Sequence, residues 1–97
     1  MLESLQADHF SSLTGQAFQL ARPDGRVIEV TLEEVRARED QEFRGRVPFS
    51  MLFRGPRGEN LRQGLYRLGH AELGSWDLLM VPVEPDGETP YLEVVIS

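Results

Sequence analysis

Arg26-Val-Ile-Glu-Val-Thr-Leu-Glu-Glu-Val-Arg-Ala-Arg38 decides how this chain folds. Its first half alternates: Ile28, Val30 and Leu32 fall on one side of an extended backbone, and Val27, Glu29 and Thr31 on the other. That is the period of a half-buried strand. At Glu33-Glu34 the phase slips, and Val35 is the next apolar residue. A β-bulge accounts for the slip, because one extra residue restores the inward face while bending the strand. Bends of this kind let small barrels and orthogonal sandwiches close.

The same alternation extends in both directions along the chain. Before it, Gln16 to Arg22 sets Phe18 and Leu20 against Ala17, Gln19 and Ala21, and Pro23-Asp24-Gly25 supplies the turn between the two strands. After it, a polar stretch from Arg38 to Gly45 reads as a loop. Val47, Phe49, Met51 and Phe53 then share one face, with Pro48, Ser50, Leu52 and Arg54 on the other. Proline at position 48 places that segment at an edge or at the start of a strand. Leu65 to His70 turns Tyr66 and Leu68 inward. Trp76 to Val83 is apolar on both faces, the pattern of a central strand, and Trp76 reads as core. Pro85-Asp86-Gly87 repeats the earlier turn, and Tyr91 to Ile96 closes the chain with Leu92, Val94 and Ile96 on one face.

Ser4 to Thr14 is the one helical stretch. Leu5, Phe10 and Leu13 have helical separations, Asp8 could cap a shorter turn, and Gly15 stands where a helix would stop. Its expected role is to plug an open end of the β-structure with Phe10 and Leu13. The fold class is therefore all-β and mainly antiparallel: a small barrel or sandwich of about six strands with one short N-terminal helix. Residues 1–97 form one domain, 1–15 being the helix and lead-in and 16–97 the β-structure. A chain of this length buries roughly 60–65% of its unfolded surface, enough for one core.

Composition removes several function classes. There is no cysteine, hence no disulfide, thiolate metal site or cysteine nucleophile. No apolar run approaches a membrane span of about 20 residues. Met-Leu-Glu-Ser-Leu-Gln6 carries no basic residue and no apolar core, so a signal peptide is not expected. The expected location is cytoplasmic, with export alongside an assembly left open. A net charge of −6 argues against non-specific nucleic-acid binding.

Candidate chemistry is sparse. His70, with Glu72 and Asp77 nearby, is the best catalytic or metal candidate, yet the chain turns between His70 and Glu72, and His9 is distant in sequence. No serine or threonine sits in a Gly-x-Ser-x-Gly elbow. Glu33-Glu34 and Glu39-Asp40 are strand or loop neighbours rather than a facing acid–base pair. Gly55-Pro-Arg-Gly58 lacks the lysine and helix of a phosphate loop. The expectation is a non-enzymatic protein with no cofactor and no metal.

Charge is more informative. Between Arg44 and Arg67 lie six of the ten arginines and a single acid, Glu59, a local charge of +5 against −11 for the remainder. All ten basic residues are arginine, which suits bidentate recognition of carboxylates; an overall preference for arginine gives the same count. If the strands around Phe49 and Tyr66 pair, Arg54 and Arg67 project from one outward face. Arg57 and Arg62 would then crown the loop above, and Leu52 would add an apolar element. This basic hairpin is the candidate site for docking a protein partner or a second copy. An exposed strand edge at Val47 to Arg54 would add β-augmentation. The alternative is a small-molecule or anion-binding domain with a pocket formed by His70, Arg67 and a carboxylate.

Pro48-Phe-Ser-Met-Leu-Phe-Arg-Gly-Pro56 and Gln63-Gly-Leu-Tyr-Arg-Leu-Gly-His70 resemble a family of short bacterial proteins classed as a domain of unknown function. Leu73-Gly74, Leu79-Met-Val-Pro82, Pro85-Asp-Gly87, Leu2-Glu-Ser-Leu5, Phe10 and Leu13-Thr-Gly15 continue the likeness over nearly the whole chain. The closing Val-Val-Ile-Ser97 departs from it, being less aromatic. These motifs are turn glycines, prolines and inward aromatics, so they speak for the fold. The resemblance implies an assembly accessory associated with phage-tail-collar-like proteins, with no catalytic residues to carry over.

Overall fold

The computed structural model describes residues 7–38, 47–83 and 87–96. Several sequence readings fall outside these residues: the helix start at Ser4 and Leu5, the cap at Asp8 (whose side chain is not described), most of the 38–45 loop with Arg44 and Arg46, and Pro85-Asp86. The elements, in chain order, are α1 (Ala7–Ser11), β1 (Ala17–Ala21), β2 (Val27–Ala37), β3 (Phe49–Arg54), β4 (Gly64–His70), β5 (Gly74–Val83) and β6 (Tyr91–Ile96).

The six strands close into a barrel in the order β1-β2-β3-β6-β5-β4, every neighbour antiparallel. The path repeats itself. β1-β2-β3 and β4-β5-β6 are each a meander, joined where β3 meets β6 and where β4 meets β1. The bulge read from Glu33-Glu34 is present: Leu32 lies opposite Phe53 and Glu34 opposite Leu52, so Glu33 is the extra residue between them. It lets β2 pair with β1 over Val27–Thr31, then bend and pair with β3 over Thr31–Ala37.

Parity sets the core. Phe18 and Leu20, Val30 and Leu32, Phe49, Met51 and Phe53, Leu68, Met80, and Leu92 and Val94 are all at most 1% exposed. Phe18 and Phe53 meet edge-on across the interior with ring centroids 5.2 Å apart. Phe10, wholly buried, closes the end of the barrel occupied by α1. Its ring lies 5.5 Å from Trp76 and 5.9 Å from Phe49. Trp76 is half-buried against the core. Aromatic pairs of this kind contribute about 0.5–1.5 kcal/mol each beyond the area they bury.

The opposite end is closed by loops. Gly25, at φ 91°, takes the left-handed conformation of the Pro23-Asp24-Gly25 turn, while Asp24 Oδ1 accepts from the Arg26 N–H at 2.9 Å. The 55–63 loop is tied to residues 87–90. Gly55 N–H donates to the Pro90 carbonyl at 2.8 Å and Gly58 N–H to the Glu88 carbonyl at 2.9 Å. Leu61, 6% exposed, drops from this loop into the core.

Two strand expectations change. Closure pairs β3 with β2 on one side and β6 on the other, so residues 47–54 offer no edge for an added strand. Pro48 immediately precedes β3, where its missing donor costs no ladder bond. β5 is not buried on both faces: Leu78 and Met80 point inward, but Leu79 and Val81 are 52% and 38% exposed. In a closed barrel every strand has one face outside.

Candidate functional site

The basic hairpin does not form. β3 and β4 are separated by two strands in either direction around the ring, so Arg54 and Arg67 stand on opposite walls. Strand parity put both side chains outward, as expected, but parity says nothing about which strands pair. Leu52, half-buried on the wall of β3, lies opposite Glu34 and Glu93 rather than beside Arg67.

Among the described residues, three arginines of the block, Arg54, Arg57 and Arg67, meet acids from elsewhere in the chain. Arg54 Nη1 is 3.3 Å from Glu33 Oε2, an acid presented by the bulge. Arg57 pairs with Glu88 from the loop across from it. Arg67 sits directly opposite Asp77 and binds its carboxylate through both Nε (3.0 Å) and Nη2 (3.2 Å). The hydrogen bond from Arg67, followed by its charge, holds the Asp77 carboxyl below the ordinary aspartate range. The same contact raises the guanidinium of Arg67. Among the described residues Arg62 has no ion pair, and its carbonyl accepts the Tyr66 hydroxyl at 2.6 Å.

Glu59, the lone acid of the block, faces two cations from the β1–β2 turn. Its Oε2 accepts from Arg22 Nη1 at 2.9 Å, and its Oε1 accepts from Arg26 Nη2. The Arg22 and Glu59 side chains are 19% and 17% exposed, making this the most sheltered ion pair described. Shallow clefts flank it. One of about 380 Å³ is bordered by Arg22, Asp24, Arg62 and Tyr66, and one of about 310 Å³ by Arg57, Asn60 and Glu88. A third, about 190 Å³, lies on the outer wall between the Glu34–Arg36 pair, Leu52 and Glu93. Each mixes acids with arginines, and none of the three includes His70.

His70 is packed into the barrel wall. It is 8% exposed, its ring 4.8 Å from that of Phe18. Nδ1 accepts the Glu72 backbone N–H at 3.1 Å, which leaves the proton on Nε2 to be donated to Gln16 Oε1 at 3.1 Å. His70 and Arg67 are three residues apart on β4, so they face opposite sides of the wall and form no common pocket. Among the described residues no three His, Asp or Glu side chains are gathered as metal ligands would be. No helix among them is long and apolar enough to cross a membrane.

The feature that sequence reasoning passed over lies on the outer wall. Leu65 on β4 and Leu79 on β5 are directly opposite in register, 69% and 52% exposed. Two residues along the same strands comes the Arg67–Asp77 pair, and Val81 continues the apolar line on β5. Two signals could have revealed it. Turning Tyr66 and Leu68 inward forces Leu65 outward, and a strand apolar on both faces can be an exposed docking surface as well as a buried centre.

Comparison with curated proteins and with solved structures finds no match to the chain. A family model does match, over residues 5–96. The chain therefore belongs to the family described as a domain of unknown function (DUF6916).

Proposed function

We propose that this barrel is a non-enzymatic docking module that binds a partner protein through the outer face of β4 and β5. One observation carries the reading: the exposed, directly opposed leucines Leu65 and Leu79, with Val81 beyond them and the Arg67–Asp77 pair at their side. An apolar centre with a charged border is the anatomy of protein interfaces. A packed interior supports the reading too, because Phe18, Phe53, Leu68 and Met80 fill the space where a barrel would hold a ligand. So does the full engagement of both His70 ring nitrogens. Arg67 is the candidate arginine that keeps a place in this surface; Arg62, without an ion pair among the described residues, lies on the 55–63 loop at the end of the same strand and could steer an acidic partner.

The finer form of the reading, an accessory of a phage-tail-like structural protein, depends on who the partner is. Affinity capture from the native host with the wild-type chain, the Leu65→Glu/Leu79→Glu variant and the Arg54→Glu variant tests both levels. The double variant is expected to lose its partner, and Arg54→Glu, on the opposite wall, to retain it. Identical captured proteins in all three would remove this face from the account.

A further inference from the structure

The β5–β6 ladder stops before its strands do. Val81–Val83 pairs with Tyr91–Glu93, and there the pairing ends. Both strands continue: β5 back through residues 80–74, and β6 on through 94–96. Extending the register would set Met80 opposite Val94 and Leu79 opposite Val95, but those pairs are not made. The equivalent seam in the other meander, β2 with β3, is paired along the whole of β3. The other short ladder, β1 with β4, stops at one end because β1 turns at Arg22, and at the other, at Gln19–Gly69, only one position short of the end of β4.

Past the ladder, β5 is hydrogen-bonded to β4 on one side and to no strand on the other among the described residues. Residues 94–96 of β6 likewise pair with β3 alone. A row of unpaired backbone donors and acceptors has one efficient complement, another extended strand. The side chains along the parted seam match that occupant. Leu79 and Val95, 52% and 55% exposed, stand on its two sides of the outer wall. Beneath it Leu78, Met80, Val94 and Ile96 stay at 5% exposed or less, so the core is sealed by side chains while the backbones part.

Resting on the docking reading above, we infer that the parted β5–β6 seam accepts an extended strand from a different protein, added along residues 74–80 of β5. A second copy is the poorer occupant. Antiparallel pairing of residues 74–80 with the same residues of another copy puts Asp77 opposite Asp77, and like charges directly opposite are destabilising. The incoming strand carries alternating apolar residues to lie against Leu79 and Val95, with a neutral or basic residue opposite Asp77.

A synthetic peptide copying residues 91–96 with Glu93→Arg, which has that alternation and sets a basic residue opposite Asp77 when Tyr91 faces Leu79, serves as the probe, read by amide chemical shifts and hydrogen exchange of the isotope-labelled chain. In the free protein, alternate amides of residues 74–80 should exchange at least tenfold faster than those of β3. Peptide should shift β5 and residues 94–96 saturably and slow that exchange. The same peptide N-methylated at alternate amides should do neither. Uniformly slow exchange along residues 74–80 in a monomeric free protein, or no shifts at millimolar peptide, would overturn the inference. Sedimentation showing a dimer whose β5 amides are protected would overturn it in favour of a second copy. If the peptide fails while partner capture still depends on Leu65 and Leu79, strand addition falls and the docking surface stands; capture indifferent to those leucines removes the docking surface itself.

Discussion

Arg67 and Asp77 occupy opposed register positions on β4 and β5, joined by two parallel hydrogen bonds of 3.0 and 3.2 Å on an exposed wall. The hydrogen bond from Arg67 lowers the folded pKa of Asp77. The sign follows: the pair stabilises the fold above the ordinary aspartate range of about 3.9 and ceases to do so as pH falls through the lowered folded value. Urea denaturation of wild type and Asp77→Asn should differ at neutral pH and converge under acid. Because both side chains are more than half exposed, the neutral-pH difference should shrink in high salt.

Glu59 is the acid that holds the β1–β2 turn to the 55–63 loop. Glu59→Ala leaves Arg22 largely buried beside a lost partner, and buried groups left unsatisfied cost about 1–3 kcal/mol. Chemical denaturation should show that loss, and Glu59→Gln, which can still accept a hydrogen bond, a smaller one.

Gly55 and Gly64 make a matched test of loop packing. A Cβ at Gly55 would lie 3.1 Å from Pro90 Cγ and 3.2 Å from Leu61 Cδ1, whereas one at Gly64 would meet nothing within 4 Å. Gly55→Ala should destabilise by roughly 1–3 kcal/mol through overpacking, and Gly64→Ala by much less. Thermal unfolding of the two variants side by side checks the contrast.

Phe10 is the plug at the helical end. Phe10→Ala removes a wholly buried ring and its contacts to Phe49 and Trp76, at a cost of about 3–5 kcal/mol. That is a large share of the 5–15 kcal/mol typical of a domain. Denaturation should show the loss, and Phe10→Leu should recover much of it.

Nitrogen NMR of the His70 ring in its neutral form should place the proton on Nε2, since Nδ1 accepts the Glu72 N–H. A proton on Nδ1 would contradict this arrangement.

Much of the barrel was legible from side-chain period. Leu32, the Glu33 slip and Val35 revealed the bulge because an extra residue shifts every later side chain by one face. Phe49, Met51 and Phe53 revealed the inward face of β3 for the same reason. Pairing was not legible. Alternation records which way Arg54 points and is silent on whether its neighbour is β2, β4 or β6, so acids distant in sequence (Glu33, Asp77, Glu88) entered the arginine block unannounced. Leu79 was misread because apolar residues on both faces fit a buried strand and an exposed docking strand equally well.

Affinity capture comparing the wild-type chain with Leu65→Glu/Leu79→Glu bears most directly on the claim that the outer face of β4 and β5 is where this protein works. Each exposed substitution changes stability by about 0.5 kcal/mol or less and the opposed glutamates add a repulsion of about 0.2–1 kcal/mol, small against the 5–15 kcal/mol typical of a domain, so the variant should stay folded. The account requires a specific partner with the wild type and its loss from the folded variant. A folded variant that retains the same partner would contradict it.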